Sequence, residues 1–275
     1  MKKIFLTILI FAPLVLAAQV ERKYEFPRFR YGVEFGFETF AGNKVEIPQI
    51  RENKSAYSDP YHHDDFYNCG FMFDKYGYTR LFVGFKPEFS LNHHFVAAAG
   101  LRLSYNNSVL NSDRGYFLWK VAENGQTTDY VRVNDLTQNN FYLGVPLELT
   151  IFTSQRDLRV RQYFKAGFVF NALLASSTNP RFVTPAMENI YKDKIVSQLK
   201  KPSAFGAQAF LGFGMKIGRM NKPFGSVEIQ MPVNLLKNQR ASSFVYTAPV
   251  SFAMVATVDI PAGKQKLSYT YRSRR

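Results

Sequence analysis

The chain lacks most of the features that staple or anchor a protein. A single cysteine, Cys69, excludes an internal disulfide. Beyond the first 20 residues no apolar run approaches the roughly 18 residues of a membrane-spanning helix, which excludes a helical membrane protein. Acid is scarce: 21 Asp and Glu stand against 35 Lys and Arg, for a formal net charge of +14. No Gly-rich phosphate loop, nucleophile elbow or paired-cysteine motif occurs, so the expectation is a protein without enzymatic activity and without a cofactor. What is present is hydrophobic mass, 46% of 275 residues with 16% aromatic, which excludes intrinsic disorder.

The N-terminus reads as an address. Lys2 and Lys3 precede an apolar stretch over 4–16, followed by Ala17 and Ala18. This pattern predicts a cleaved signal peptide over 1–18 and an exported mature chain of net charge +12 once Lys2 and Lys3 are removed. With no cysteine at the cleavage point, it is not a lipoprotein signal.

The remainder, 19–275, alternates with period two in eight segments: 31–41, 80–90, 95–105, 141–152, 160–173, 205–217, 226–234 and 250–260. Each is about the 9–11 residues that a tilted strand needs to cross a bilayer, or slightly more. One phase is apolar throughout except for Thr39 and Gln162. The other phase carries Glu34, Glu38, Glu88, Glu148, Glu228 and Asp259 against Arg80, Lys86, Arg102, Arg161, Lys165 and Lys216, together with glycines such as Gly32, Gly36, Gly84 and Gly214. Six acids against six bases, with glycine beside them, suggest a crowded interior in which charges pair.

Two architectures use an alternating eight-stranded sheet and face it oppositely. A soluble lipocalin-like barrel turns the apolar phase inward; an outer-membrane barrel turns it to lipid. An eight-stranded interior barely holds side chains and could not contain the whole apolar phase, so volume favours the membrane form. The connections agree. Those over 42–79, 106–140, 174–204 and 235–249 are long, while 91–94, 153–159 and 218–225 are short, the pattern of extracellular loops and periplasmic turns. The expected fold is therefore all-β, a transmembrane antiparallel up-and-down barrel of eight strands in the outer membrane of a Gram-negative bacterium. Ten strands is the alternative, because 24–29 and 264–271 also alternate.

Charge divides by compartment. The segment 261–275 contributes +5 through Lys264, Lys266, Arg272, Arg274 and Arg275, as a basic periplasmic tail. Such a tail suits an anionic partner, whether lipid headgroups, peptidoglycan or an acidic periplasmic or secretion-system protein, or else is a solvated charge run. Nucleic acid is not expected. The long connections carry −2, −1, +3 and +2 in chain order. Within 174–204, Thr184 and Pro185 predict a helix start with Met187, Ile190, Tyr191, Ile195 and Leu199 on one face. Within 106–140, Glu123-Asn124-Gly125-Gln126 predicts a hairpin above the membrane. His62-His63-Asp64-Asp65 has donor types suited to metal or hydrolysis, but adjacent histidines converge poorly on one ion and no complementary cluster follows, so a polar loop tip is the reading and no metal is expected.

The strands Arg30-Tyr31-Gly32-Val33-Glu34-Phe35-Gly36 and Phe141-Tyr142-Leu143-Gly144-Val145-Pro146-Leu147-Glu148-Leu149 resemble the corresponding strands of the PorT-like outer-membrane β-barrel family. The plan of signal peptide plus small barrel is similar over nearly the whole chain. The resemblance implies a non-enzymatic component of, or accessory to, type IX protein secretion, with no catalytic residues to carry over. The alternatives are a structural or adhesive barrel anchoring the envelope and a loop-based hydrolase.

Overall fold

The computed structural model describes residues 19–41, 43–51, 77–111, 115–124, 127–154, 158–219 and 222–274. The stretch 1–18, the His62–Asp65 cluster, Cys69 and Arg275 lie outside the described residues. In chain order the elements are β1 (Gln19–Ala41), β2 (Asn43–Lys44), β3 (Ile50–Arg51), β4 (Gly77–Ser90), β5 (Phe95–Ala99), β6 (Leu101–Asn111), β7 (Phe117–Asn124), β8 (Thr127–Phe152) and β9 (Val160–Phe182). A 3-10 turn at Pro185–Met187 then runs into helix α1 (Glu188–Gln198), followed by β10 (Phe205–Arg219), β11 (Lys222–Asn234), β12 (Val245–Tyr246) and β13 (Phe252–Arg274).

Period-two sequences make strands, and strands with unsatisfied edges must find neighbours. Here each wall strand pairs antiparallel with the next in sequence, β1 with β4, then β5 and β6, β8, β9, β10, β11 and β13. β13 returns to β1, with Tyr31 opposite Ile260 and Phe37 opposite Met254, so the sheet closes as a ring of eight strands. β5 and β6 are one wall strand interrupted at Gly100. A side chain at that point would press into the Phe85 carbonyl oxygen and the Lys86 backbone, so only glycine lets the two strands approach.

The alternation decides what each face meets. Outward-pointing Phe35, Leu81, Phe85, Leu103, Leu147, Phe168, Leu211 and Met254 are exposed around the circumference. Inward-pointing Glu34, Arg80, Lys86, Arg102, Glu148, Lys165 and Glu228 are buried. The conventional hydrophobic core lies elsewhere, over the long-loop end. There Trp119, Val133, Leu136, Phe182, Ile195, Phe244 and Val245 pack into one cluster between β7, the upper parts of β8 and β9, α1 and the β2–β12 pair. Trp119 Nε1 donates to Gln198 Oε1 at 2.6 Å, tying α1 to the hairpin.

Several element ends differ from the sequence reading, each for a physical reason. β8 begins at Thr127 and β6 continues to Asn111, within the stretch assigned to a loop. There the outward positions are Asn107, Thr137 and Asn139, so both faces are polar or mixed and the alternation loses contrast. β9 continues to Phe182 past a bulge: Leu173 faces Tyr142 and Ala175 faces Phe141, leaving Leu174 as an extra residue. The bulge reverses the phase, so the buried positions change from odd numbers such as Tyr163 and Val169 to Pro180 and Phe182. The hairpin forms between β7 and β8. The helix begins at Glu188, after the turn that Pro185 opens, and the Thr184 side chain makes no capping bond. Only Ile195, with Tyr191 and Leu199 beside it, packs into the cluster; Met187 and Ile190 are exposed. Tyr246 sits in β12 beside β2.

Within the basic segment, residues 261–274 are paired rather than free. β13 runs through Arg274 and β1 starts at Gln19, and the two remain paired from Phe29 and Ala262 to Gln19 and Arg274 as a ribbon beyond the short-turn end. The stretches 24–29 and 264–271 therefore lengthen strands one and eight rather than adding a ninth and a tenth.

Candidate functional site

The densest chemistry in the structure is the ring interior, built by the polar phase of eight strands. Because β1 alternates, Arg30, Glu34 and Glu38 point inward at successive heights and meet partners on β4, β6 and β10, with Ser251 just ahead of β13. Three tiers result.

Nearest the long-loop end, Arg80 donates to Glu38 Oε2 at 3.0 Å, to Gln208 Oε1 at 2.8 Å and to Asn106 Oδ1 at 2.9 Å. Gln208 and Ser251 both donate to Glu38 Oε1. In the middle tier the Lys86 ammonium lies 3.0 Å from Glu34 and 2.7 Å from Glu148. Arg102 Nε donates to Glu34 Oε1 at 2.7 Å, and its guanidinium stacks 4.1 Å over the Phe82 ring. Lys165 bridges Glu148 at 3.2 Å and Glu228 at 2.6 Å, while Glu228 accepts from the Tyr163 hydroxyl at 2.6 Å and from Gln230. Toward the short-turn end, Arg30 pairs with Glu88 at 3.1 Å, and Lys216 bridges Glu88 at 3.2 Å and Asp259 at 2.6 Å. Arg161 is buried there with its guanidinium 4.3 Å over Phe152.

This arrangement answers the cost of burying charge. A single buried ion costs several kcal/mol, and a pair recovers it only with good geometry and further hydrogen bonds. Nearly every acid here meets two or more donors. Wall glycines make the room: a Cβ at Gly84 would lie 2.5 Å from Glu34 Oε1, and one at Gly214 would lie 2.6 Å from the Tyr163 hydroxyl. Two cavities near Arg30, one lined also by Asn92, His93 and Phe152 and the other by Glu88, Tyr163 and Lys216, hold about 10 Å³ each. That is room for one water.

Glu34, Glu38, Lys86, Glu88, Arg102, Glu148, Arg161, Lys165, Lys216, Glu228 and Asp259 all point into this interior, as does Arg80. Arg30, Tyr163, Gln208, Gln230 and Ser251 complete the network and were not singled out in the sequence. Arg30 shares the phase of Gly32 and Glu34 and precedes the expected strand start by one residue, so extending the alternation one step would have included it. Tyr163 reads as apolar until its hydroxyl meets Glu228.

The other residues of interest are scattered. Lys264, Lys266, Arg272 and Arg274 lie along β13 in the ribbon with β1. In the turn 91–94, His94 Nδ1 lies 3.0 Å from the Phe152 carbonyl oxygen and its ring lies 4.2 Å from that of His93. Partial burial, and then the neighbouring His94, push His93 below the ordinary imidazole value. Among the described residues, no group of three or more His, Cys, Asp or Glu is placed to hold a metal ion. A polar concavity of about 470 Å³ on the outer face above the apolar belt is lined by Asn111, Thr137, Asn179 and the ion-paired Asp135 and Arg181.

No model of a known protein family matches the chain, and no curated protein matches it.

Proposed function

We propose that the mature chain is an outer-membrane β-barrel with a sealed interior, acting as a non-catalytic binding or scaffold component in protein export. The observation that carries the membrane placement is the outward apolar belt. Along β8 it runs without a break through Phe141, Leu143, Val145, Leu147, Leu149 and Ile151, all exposed. Ten steps of about 3.3 Å at a tilt of roughly 40° span about 25 Å, the height of the apolar band of outer-membrane barrels. Aromatic side chains edge the belt. Tyr105 and Phe141 lie 5.1 Å apart at the long-loop edge, with Asn107 and Asn139 directly above. Tyr31 stacks on Phe85 at 5.3 Å toward the other edge, with Arg28 over Phe89 beyond it. An exposed belt of this extent would drive aggregation in water.

The interior supports the sealed reading. Acids and bases occupy one another across the lumen and the two cavities beside Arg30 hold about one water each, so the protein is expected not to conduct and its interior carboxylates not to be poised for hydrolysis. The signal peptide over 1–18 delivers the chain to the envelope. The assignment to export rests on the resemblance of the strands at 30–36 and 141–149 to PorT-like barrels of type IX secretion.

Three experiments test the reading. Outer-membrane fractions should contain the processed protein as a species whose gel mobility changes on boiling, and planar bilayers should record no stable channels. Recovery as a detergent-free soluble monomer, or open channels of porin size, would overturn it. Deleting the gene should leave secreted proteins in the periplasm; unchanged secretion would remove the export role and leave the barrel.

A further inference from the structure

The outward surface differs from sector to sector at the long-loop end. At the β9 bulge, the start of β10 and the end of β11, the apolar belt rises into Leu174, Phe205, Leu235 and Leu236, all exposed, at 59%, 71%, 51% and 46%. Backbone bonds hold these segments side by side: Leu173 N–H donates to the Ala204 carbonyl at 2.7 Å, and Leu235 N–H to the Ala207 carbonyl at 2.9 Å. Lysines flank these residues in sequence. Lys200 and Lys201 lie in the connection between α1 and β10, ahead of Phe205, and Lys237 follows Leu236 directly; all three are exposed. No ion pair among the described residues engages them, whereas Lys192 is bound by Glu188 and Arg181 by Asp135. Ser203 N–H bonds to the Arg240 carbonyl at 3.2 Å, which brings the 200–204 segment against the 235–240 segment. The connections of this sector, 174–204 and 235–249, carry +3 and +2, against −2 and −1 for 42–79 and 106–140.

We infer that the β9–β11 sector binds a phosphorylated glycolipid of the outer leaflet, its acyl chains on Phe205, Leu235 and Leu236 and its phosphates on Lys200, Lys201 and Lys237. The inference rests on the membrane placement proposed above. An amphiphile in the outer leaflet presents hydrocarbon below and anionic phosphate above, and this surface presents apolar side chains below and ammonium groups above in the same order. A water-soluble partner would not account for the apolar surface continuing directly into the membrane belt. An uncharged lipid would leave the three ammonium groups without counter-charge, and cationic side chains at a membrane edge favour anionic headgroups.

Native mass spectrometry of the detergent-solubilised mature protein with bisphosphorylated lipid A tests this. The wild-type protein should retain lipid A, and the variant carrying Lys200→Gln, Lys201→Gln and Lys237→Gln should bind it at least tenfold more weakly. Both should bind zwitterionic phosphatidylethanolamine equally. Lys194→Gln, an exposed charge on α1, should leave lipid A binding unchanged. Equal retention by the triple variant, equal retention of fully dephosphorylated lipid A by the wild type, or equal weakening by Lys194→Gln would overturn the inference. A heat-dependent gel shift on the same samples separates the levels. A folded ring without phosphate selectivity refutes the lipid site alone; absence of a folded species in detergent refutes the membrane placement with it.

Discussion

Glu148 is the acid with most to lose. Its carboxylate faces Lys86 at 2.7 Å, Lys165 at 3.2 Å and Arg102 at 3.7 Å, all inside the ring. Replacing it with Gln keeps the shape and an acceptor oxygen but removes the charge that three cations share. Removing one member of a buried pair costs about 3–5 kcal/mol, because the remaining charge is left uncompensated. Lys86 retains Glu34, and Lys165 retains Glu228, so the low end, about 3 kcal/mol, is expected for Glu148→Gln. The informative variant is the double one. Glu148→Gln with Lys165→Gln removes one charge of each sign, and the two changes should cost at least 1 kcal/mol less together than the sum of the singles, within the range of coupling between contacting residues. Urea titrations in detergent micelles, followed by circular dichroism of the strands, measure all three. Additivity within about 0.5 kcal/mol would refute the claim that these charges are coupled by burial, since that is the behaviour of independent sites.

In the hydrophobic cluster over the long-loop end, Ile195→Ala should cost about 2–5 kcal/mol and Ile190→Ala less than about 0.5 kcal/mol, because Ile195 is fully buried and Ile190 is 65% exposed; denaturation monitored by the fluorescence of Trp119 checks both. Gly100→Ala should destabilise the ring more than Gly212→Ala. The new methyl meets backbone that cannot yield at Gly100, whereas at Gly212 its nearest neighbours lie at 3.3 and 3.4 Å; the loss of heat-resistant gel mobility ranks the two. His93 should titrate below 6.5 by NMR in micelles. Because its folded value is lowered, the unfolded chain binds the proton more tightly, so this group weakens the fold as pH falls through the unfolded value and contributes nothing above it. A midpoint at or above 6.5 would contradict its partial burial.

Much of the ring was legible because its period is local. Phe141, Leu143, Val145 and Leu147 alternate with Tyr142, Gly144, Pro146 and Glu148 whatever strand lies beside them, so the strands, their number and the apolar and charged phases could be read one segment at a time. Legibility failed where that contrast fades or shifts. Asn107 and Asn139 make the outer face polar above the belt, so β6 read as ending early and β8 as beginning late. The extra residue Leu174 reversed the phase of β9 and hid its last turnless stretch to Phe182. Arg30 was missed because it lies one step before the apolar run begins.

What the sequence alone determined is the division of each strand into a greasy side and a charged side, since side-chain direction in a strand depends only on odd and even position. What only the tertiary structure decided is who meets whom. Lys86 on β4 bridges Glu34 on β1 and Glu148 on β8, Lys165 on β9 reaches Glu228 on β11, and β1 stays with β13 down to Gln19 and Arg274. Those choices depend on the register with which the ring closes, and so on every strand at once, and no single segment carries that information.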